Sequence, residues 1–392
     1  MSIWEKKGKC ENITQGSIMS VKIIALYLPQ YHSIPENDSW WGKGFTEWTN
    51  VRKAKPVFKW QVQPKVPLNN NYYNLLDKET VEWQTKLANQ YGIYGFCYFH
   101  YYFKGKKLLE KPAENLLKWK DINQRFCFFW ANDSWCRTWS AAKAGTTWSA
   151  KDEKIMPDDN GMLMEQTYGN STDWEEHFRY LNDFFQDDRY IKVNNKPMFY
   201  IYNLSKIPCA KEMFSLWDRL AKENGFDGIH IVSVNEPNDN SIPQVEAIAH
   251  YGFHKASRSK MTGVLSKIKN KLKRQAASSL GIQKLNKDVW SYDKMWNLIL
   301  SVKPYGNIQN YPGGFVNYDD TPRKGFNGTV MKGVTPKLFE KYLRKQIIRA
   351  KEVFHSEYLL LDAWNEWGEG NYLEPDEQWG YEYLEAIKNA LR

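Results

Sequence analysis

Two glutamates near the C-terminus, Glu366 and Glu369, flank Trp367-Gly368, and Glu374 precedes Pro375, in the segment DAWNEWGEGNYLEPD. Glycines at 368 and 370 break an extended run and let the backbone turn tightly. Two carboxylates three residues apart at such a strand end can point into one cavity. Glycoside chemistry needs a pair of this kind: a protonated acid for the leaving oxygen and an ionised partner for the developing cation. Crowding two carboxyls raises the pKa of one, which supplies a proton donor near neutral pH. The competing reading is structural: glutamates at i, i+3 are common surface charges, and Asn-Glu at a strand end can cap a helix.

Other polar and aromatic residues follow other apolar runs. Tyr27, Tyr31, His32, Trp41, Glu47 and Trp48 follow or end the first run, in YLPQYHSIPENDSWWGKGFTEW. His100 and Tyr101 follow the second; Trp130 lies near the end of the third and Asn132, Asp133 and Trp135 follow it, in WANDSWCRTW. Asn235 follows the fifth run, Asp319 lies in VNYDDTPR beside Arg323, and Trp364 and Asn365 lead into the glutamate pair. Tryptophan and tyrosine offer flat apolar faces with polar edges, suited to sugar rings; the alternative is that these rings are core. No HExxH or HxH spacing occurs, so neither a metal nor another cofactor is expected. No GxSxG is present for a serine nucleophile.

The elements that must position these residues are eight short runs: 22–28, 93–99, 125–131, 197–203, 228–234, 246–252, 307–313 and 357–366. They are rich in Val, Ile, Phe and Tyr and mostly continuous rather than alternating, as suits parallel strands buried on both faces. Helical stretches over 78–91, 173–187, 213–224, 336–354 and 380–391 interleave with them. The expected fold is α/β, a (β/α)8 TIM barrel in one domain over 20–392 with long βα loops, after an N-terminal extension over 1–19. A doubly wound sheet competes, but no GxGxxG follows the first run and no GxxxxGK[ST] loop exists. In a barrel, reactive residues belong at the C-terminal strand ends, where the residues named above fall.

The chain has 392 residues and 16% aromatic side chains, 18 Trp, 24 Tyr and 19 Phe. Its net charge is +9, but residues 255–287 hold ten Lys or Arg and no acid, leaving −1 for the remainder. A globally basic nucleic-acid coat is therefore disfavoured, because the body carries no net field. Within the island, Met261, Val264, Leu265, Ile268 and Leu272 recur at helical spacing with lysines on the other faces. It reads either as a solvated loop helix or as a peripheral contact with an anionic membrane surface. No run approaches a membrane span, and Ile23–Leu28 is too short for a signal-peptide core, so a cytoplasmic location, peripheral to the inner membrane at most, is expected. Five cysteines at irregular spacing, with no CxxC, point to thiols rather than zinc or redox chemistry.

IALYLPQYHSIPENDSWWGKGFTEWTNV, YGFCYFHYYFKGKKLLEKP, FCFFWANDSWCRTW, NYDDTPR and LLLDAWNEWGEGNYLEPD together resemble the WbsX-type polysaccharide proteins, a branch similar to glycoside hydrolase family 99. The resemblance covers roughly residues 20–390 and implies a (β/α)8 barrel. It implies roles as well. Glu366 would be the base that assists attack by the sugar's own 2-hydroxyl through a 1,2-anhydro intermediate, and Glu369 the acid/base. Glu47 would bind substrate beside Tyr27, Tyr31 and His32, with Trp130 to Trp135 and Asp319 lining the cleft. WbsX-type proteins usually read W-A-N-E-N-W where this chain has Asp133-Ser134, and aromatic-Asp-Asn where it has Tyr318-Asp319-Asp320.

Three functions follow as expectations: a retaining glycosidase acting on a bacterial surface polysaccharide, a glycosyl-transferring enzyme of polysaccharide assembly, and a non-catalytic glycan-binding barrel. The partner implied is an oligosaccharide or lipid-linked glycan.

Overall fold

The computed structural model describes residues 20–136, 161–236, 241–252 and 288–392. The N-terminal extension, Arg137, Trp139 and the basic island 255–287 lie outside these residues. The apolar runs form parallel strands: β1 (Lys22–Tyr27), β2 (Ile93–Phe103), β3 (Phe126–Trp130), β4 (Lys196–Ile201), β5 (His230–Val234), β6 (Val245–Ala249) and β8 (Tyr358–Asp362). β7 comes in two pieces, Gln309–Tyr311 and Gly313–Phe315. Each strand pairs in parallel with its neighbour in chain order, and β8 pairs back onto β1. The result is a nearly closed barrel of the TIM type.

The seventh strand closes the ring in an unusual way. Its first piece pairs with β6 and its second with β8, and Pro312 lies between them. A proline cannot donate to the ladder. Its carbonyl still accepts from Leu360 N at 3.0 Å. Gly313 is required here, because a Cβ would lie 1.9 Å from the His250 carbonyl. The run 307–313 was expected as one strand; it extends to Phe315 and is split, because small residues let β6, β7 and β8 approach closely.

Helices cover the strands. Lys78–Tyr91 follows β1, Lys111–Lys118 follows β2, Ser171–Phe185 follows β3 and Ala210–Glu223 follows β4. Tyr292–Leu300 precedes β7, Pro336–Glu352 follows it, and Glu382–Leu391 follows β8. The link from β5 to β6 carries no helix among its described residues. Helix ends follow local chemistry: Asn170 caps the third helix by accepting from Thr172 N, and Thr335 caps Pro336–Glu352 by accepting from Leu338 N.

Burial is close to complete through β1, β3, β4 and β8. Cys97 and Cys127 are free, buried and opposite one another in the β2–β3 ladder. His230 and His250 are buried and held by Tyr311 and Asn310 respectively, as core residues. Among the described residues no helix is long and apolar enough to cross a membrane, and no group of His, Cys, Asp or Glu is arranged to hold a metal ion.

Candidate active site

The loops after β1, β7 and β8 meet at the C-terminal end of the barrel, and there one guanidinium joins three carboxylates. Arg323 Nε donates to Glu47 Oε1 at 2.9 Å, one terminal nitrogen to Glu366 Oε2 at 2.8 Å, and the other to Glu369 Oε1 at 2.6 Å. Arg323 is 4% exposed and Glu47 fully buried, so this is an internal ion network and not a surface one.

Each member is placed by local backbone. Glu47 is the first residue of the helix Glu47–Lys53, which Thr46 opens through a capping box with Thr49. The helix N-terminus favours a negative charge there. Arg323 sits on the short helix Thr321–Lys324, whose entry is tied by Asp319 Oδ1 accepting from Thr321 N and Oγ1. Glu366 ends a two-residue strand directly after β8, and Glu369 completes a single 3-10 turn that Gly370 terminates in the left-handed region. Gly368 is the close-approach point, since a Cβ would lie 1.6 Å from Glu47 Oε1.

Electrostatics follow from burial and proximity. Burial works against the Arg323 charge, but Glu47, Glu366 and Glu369 outweigh it and hold its pKa well above the usual value. Burial raises Glu366 to about 8; Arg323 pulls it down, while Glu369 and Glu47 push it up. Burial also raises Glu369, against Arg323 and with Asp320. The pair therefore retains a proton near neutral pH, which relieves the excess of three carboxylates over one guanidinium. Behind the pair, burial and the two glutamates push Asp362, at the end of β8, well above the carboxylate range. The Glu369 side chain is 20% exposed and that of Glu366 8%, so Glu369 is the more accessible.

A layer beneath holds the loop after β8. Asn365 accepts from Leu28 N at 2.7 Å and donates back to Leu28 O at 3.0 Å. The Tyr31 hydroxyl donates to the Asn365 carbonyl and accepts from Trp367 N. Trp48 packs on Tyr31, Tyr73 and Trp367, and Trp367 stacks on Tyr372 at 3.7 Å. Glu374 accepts from Tyr73 Oη, Gln84 Nε2 and Trp367 Nε1, and Tyr27 holds the other end of Gln84. Burial raises Glu374 to about 7 against those three donors. Trp364 is fully buried against Phe96.

The residues expected to line one cleft thus divide. Glu47, Glu366 and Glu369 come together. Burial, with Glu366, Glu47 and Glu369 and against Arg323, raises the Tyr101 hydroxyl pKa, and Trp135 packs edge-on against it at 4.9 Å. Tyr27, Tyr31, Trp48, Trp364, Asn365, Trp367 and Glu374 form the supporting layer. The side chains of the others are held by other partners. His100 is buried against His177, with Nε2 atoms 2.8 Å apart. Trp130 donates to the Tyr102 carbonyl, and Asn132 bonds Tyr168 and Asn203. Asp133 accepts from Asn203 and pairs with Lys206. Asn235, at φ +59°, accepts from Tyr251 N. Trp41 packs on Phe45, and burial lowers His32 to about 4. The Asp319 carboxylate accepts from Gln61 and Gln63, and its N–H donates to the Glu369 carbonyl.

Arg323 had been placed in its loop from sequence but given no role. The available signal was chemical: three carboxylates at strand ends need a cation, and Arg323 follows the acidic YDD segment directly. Tyr251, facing Asp362, Glu369 and Glu366, was also missed.

A buried carboxylate pair at the C-terminal end of a parallel barrel is the arrangement of carbohydrate-active barrels. The family model described as Glycosyltransferase WbsX matches residues 23–387, and the chain belongs to that family. Uncharacterized protein WxcX, from two strains of Xanthomonas campestris pv. campestris, is 27% identical over 376 residues. The match covers 94% of this chain and 49% of that protein, so the chain spans about half the length of these relatives. Among solved structures, a glycoside hydrolase-like protein superposes with a TM-score of 0.56 at 13% identity, covering 95% of this chain and 94% of that one. A family GH99 endo-alpha-mannosidase from Bacteroides thetaiotaomicron superposes with a TM-score of 0.52 at 15% identity, covering 94% and 95%. These similarities show a shared barrel fold.

Proposed function

We propose that the protein cleaves or remodels glycosidic bonds of a bacterial surface polysaccharide with retention of configuration, using Glu366 and Glu369. The observation that carries this reading is that both glutamates, with Glu47, share one buried guanidinium at the C-terminal mouth of the barrel. In the first half-reaction Glu366 takes the proton of the sugar 2-hydroxyl as that oxygen attacks the anomeric carbon. Glu369 gives its proton to the leaving oxygen. The 1,2-anhydro sugar then opens as Glu369 takes a proton from water or an acceptor hydroxyl and Glu366 returns the first proton to the 2-oxygen.

This cycle needs the proton on Glu369 and the charge on Glu366 when substrate binds. Arg323 donates to both carboxylates, so the guanidinium stays paired whichever of the two carries the proton. The greater exposure of Glu369 supports its role toward the leaving group and water.

Transfer to a sugar hydroxyl, in place of hydrolysis, is supported by the family's description as glycosyltransferases. The test is incubation with candidate oligosaccharides and lipid-linked glycans. Released reducing sugar identifies hydrolysis and an extended product identifies transfer. Loss of turnover in both Glu366→Gln and Glu369→Gln is expected; full turnover in either variant would overturn the reading.

A further inference from the structure

Beyond the glutamates, across the wall formed by Asp319 and Gly370, lies a cavity of about 150 Å³. It is bounded by the loops after β1, β7 and β8, the same loops that build the carboxylate cluster. It is smaller than the roughly 300–1,000 Å³ of drug-sized pockets and has room for a single ring. The wall is thin: Asp319 N donates to the Glu369 carbonyl at 2.6 Å, and a Cβ on Gly370 would lie 3.0 Å from Asp319 Cβ.

The lining combines flat rings with polar groups. Trp60 is 43% exposed at the rim, stacked on Phe58 at 5.0 Å, and Lys332 lies 5.8 Å from its ring centre. Trp379 is half-buried and Tyr372 buried in the same lining. An exposed tryptophan at the mouth of a polar cavity presents the surface that the apolar face of a sugar covers.

Lys65 supplies hydrogen-bonding capacity of cationic character inside. Asp319 is saturated by Gln61 and Gln63 at 2.8 Å each and by Thr321 N and Oγ1. Asp376 accepts from Tyr372 Oη and Trp379 N at 2.6 Å each. Lys65 differs: its ammonium bonds the neutral Gln378 Oε1 at 2.9 Å, and among the described residues no carboxylate forms an ion pair with it. Burial lowers its pKa, with Asp376 and Asp319 opposing from farther off. An ammonium offers three donors, so an incoming anion finds a charge-assisted bond available.

We propose that this cavity is a second glycan site that binds one acidic sugar residue, a uronic acid, with its ring against Trp60 and Trp379 and its carboxylate on Lys65. The proposal deepens the glycan reading of the neighbouring cluster and rests on it. It makes the substrate an acidic polysaccharide, gripped one wall away from Glu369.

The test uses the full chain and methyl glycosides of glucuronic, galacturonic and mannuronic acids, each against its neutral counterpart, by ligand-observed NMR titration. At least one uronide is expected to bind about tenfold or more tightly than its neutral partner, the effect of one charge-assisted hydrogen bond. Lys65→Met abolishes that preference, Lys65→Arg keeps it, and Trp60→Ala weakens uronide and neutral sugar alike. Thermal melts confirm that each variant is folded. The preference persists in Glu366→Gln and Glu369→Gln, which separates this cavity from the cluster. If no uronide out-binds its neutral partner, if the preference survives Lys65→Met, or if it disappears in the glutamate variants, the proposal is wrong. If turnover survives the glutamate variants while the Lys65-dependent preference stands, the proposed reaction falls and the binding site remains.

Discussion

Replacing Arg323 with glutamine tests the carboxylate cluster at its centre. The change removes the cation shared by Glu47, Glu366 and Glu369 and leaves three carboxylates that are buried or nearly so. Breaking a buried ion pair by deleting one partner costs about 3–5 kcal/mol. For 392 residues, an unfolding entropy of about 2.1 cal/mol/K per residue amounts to roughly 0.8 kcal/mol/K, so the melting temperature should fall by about 4–6 °C at pH 7. The loss must also depend on pH. Glu366 already stands at about 8 in the folded protein, against 4.5 for a free glutamate. A raised carboxyl stabilises the fold fully below its unfolded pKa, and that stability is lost as pH rises through the folded value. Without Arg323 the folded value climbs further, so the destabilisation grows from pH 5 to pH 9. Adding Glu366→Gln to the variant removes one of the stranded charges and restores part of the melting temperature. Scanning calorimetry of the three proteins at pH 5, 7 and 9 reads all of this. An Arg323→Gln protein that melts like the parent at pH 9, or whose loss is the same at every pH, would refute the argument that Arg323 holds the cluster together.

Three further outcomes are expected. Gly368→Ala places a methyl 1.6 Å from Glu47 Oε1, so it should displace that carboxylate, cost about 1–3 kcal/mol by overpacking and remove turnover; calorimetry and the product assay check both. Glu374→Gln leaves a donor group facing Tyr73, Gln84 or Trp367, and a stability loss of about 1–3 kcal/mol is expected by denaturant titration at pH 8. Its dependence on pH should differ from the parent between 4.5 and about 7, the window in which burial has moved Glu374. His100, lowered to about 3 by burial, and His177, lowered well below its usual value, are neutral in the fold. Because unfolding lets both take up protons, stability should fall as pH drops from about 6.5 toward 3. The imidazole signals should show no titration in the folded protein above pH 5 by NMR.

The barrel strands were legible because buried parallel strands need near-continuous apolar runs, and KIIALYL, RFCFFWA and EYLLLD carry them. The helix start at Pro336 was legible as well, while the helix expected from 173 begins at Ser171. β7 was read poorly, since Pro312, Gly313 and Gly314 serve close approach to β6 and β8 rather than strand propensity. In the site, the spacing of Glu366 and Glu369 marked the pair, because the loop after β8 is local. Arg323 was not marked as its partner, because it lies 276 residues from Glu47 and 43 from Glu366. Conversely, His100 lies in β2, Trp130 ends β3 and Asn132 follows it, near the strand ends as the site residues are, yet they bond within the protein: to His177, to the Tyr102 carbonyl, and to Tyr168 and Asn203.

Residue order alone therefore determined the alternation of strand and helix, the barrel, and a carboxylate pair on a glycine-broken turn, because each depends on neighbours within a few residues. Tertiary structure decided which charges meet. One guanidinium joins Glu47, Glu366 and Glu369 because three loops converge at the barrel mouth. Among the described residues, the same convergence leaves Lys65 in the neighbouring cavity with no carboxylate ion pair. Ion pairing acts over a few ångströms of space, whatever the distance along the chain, and only the closed fold sets that space.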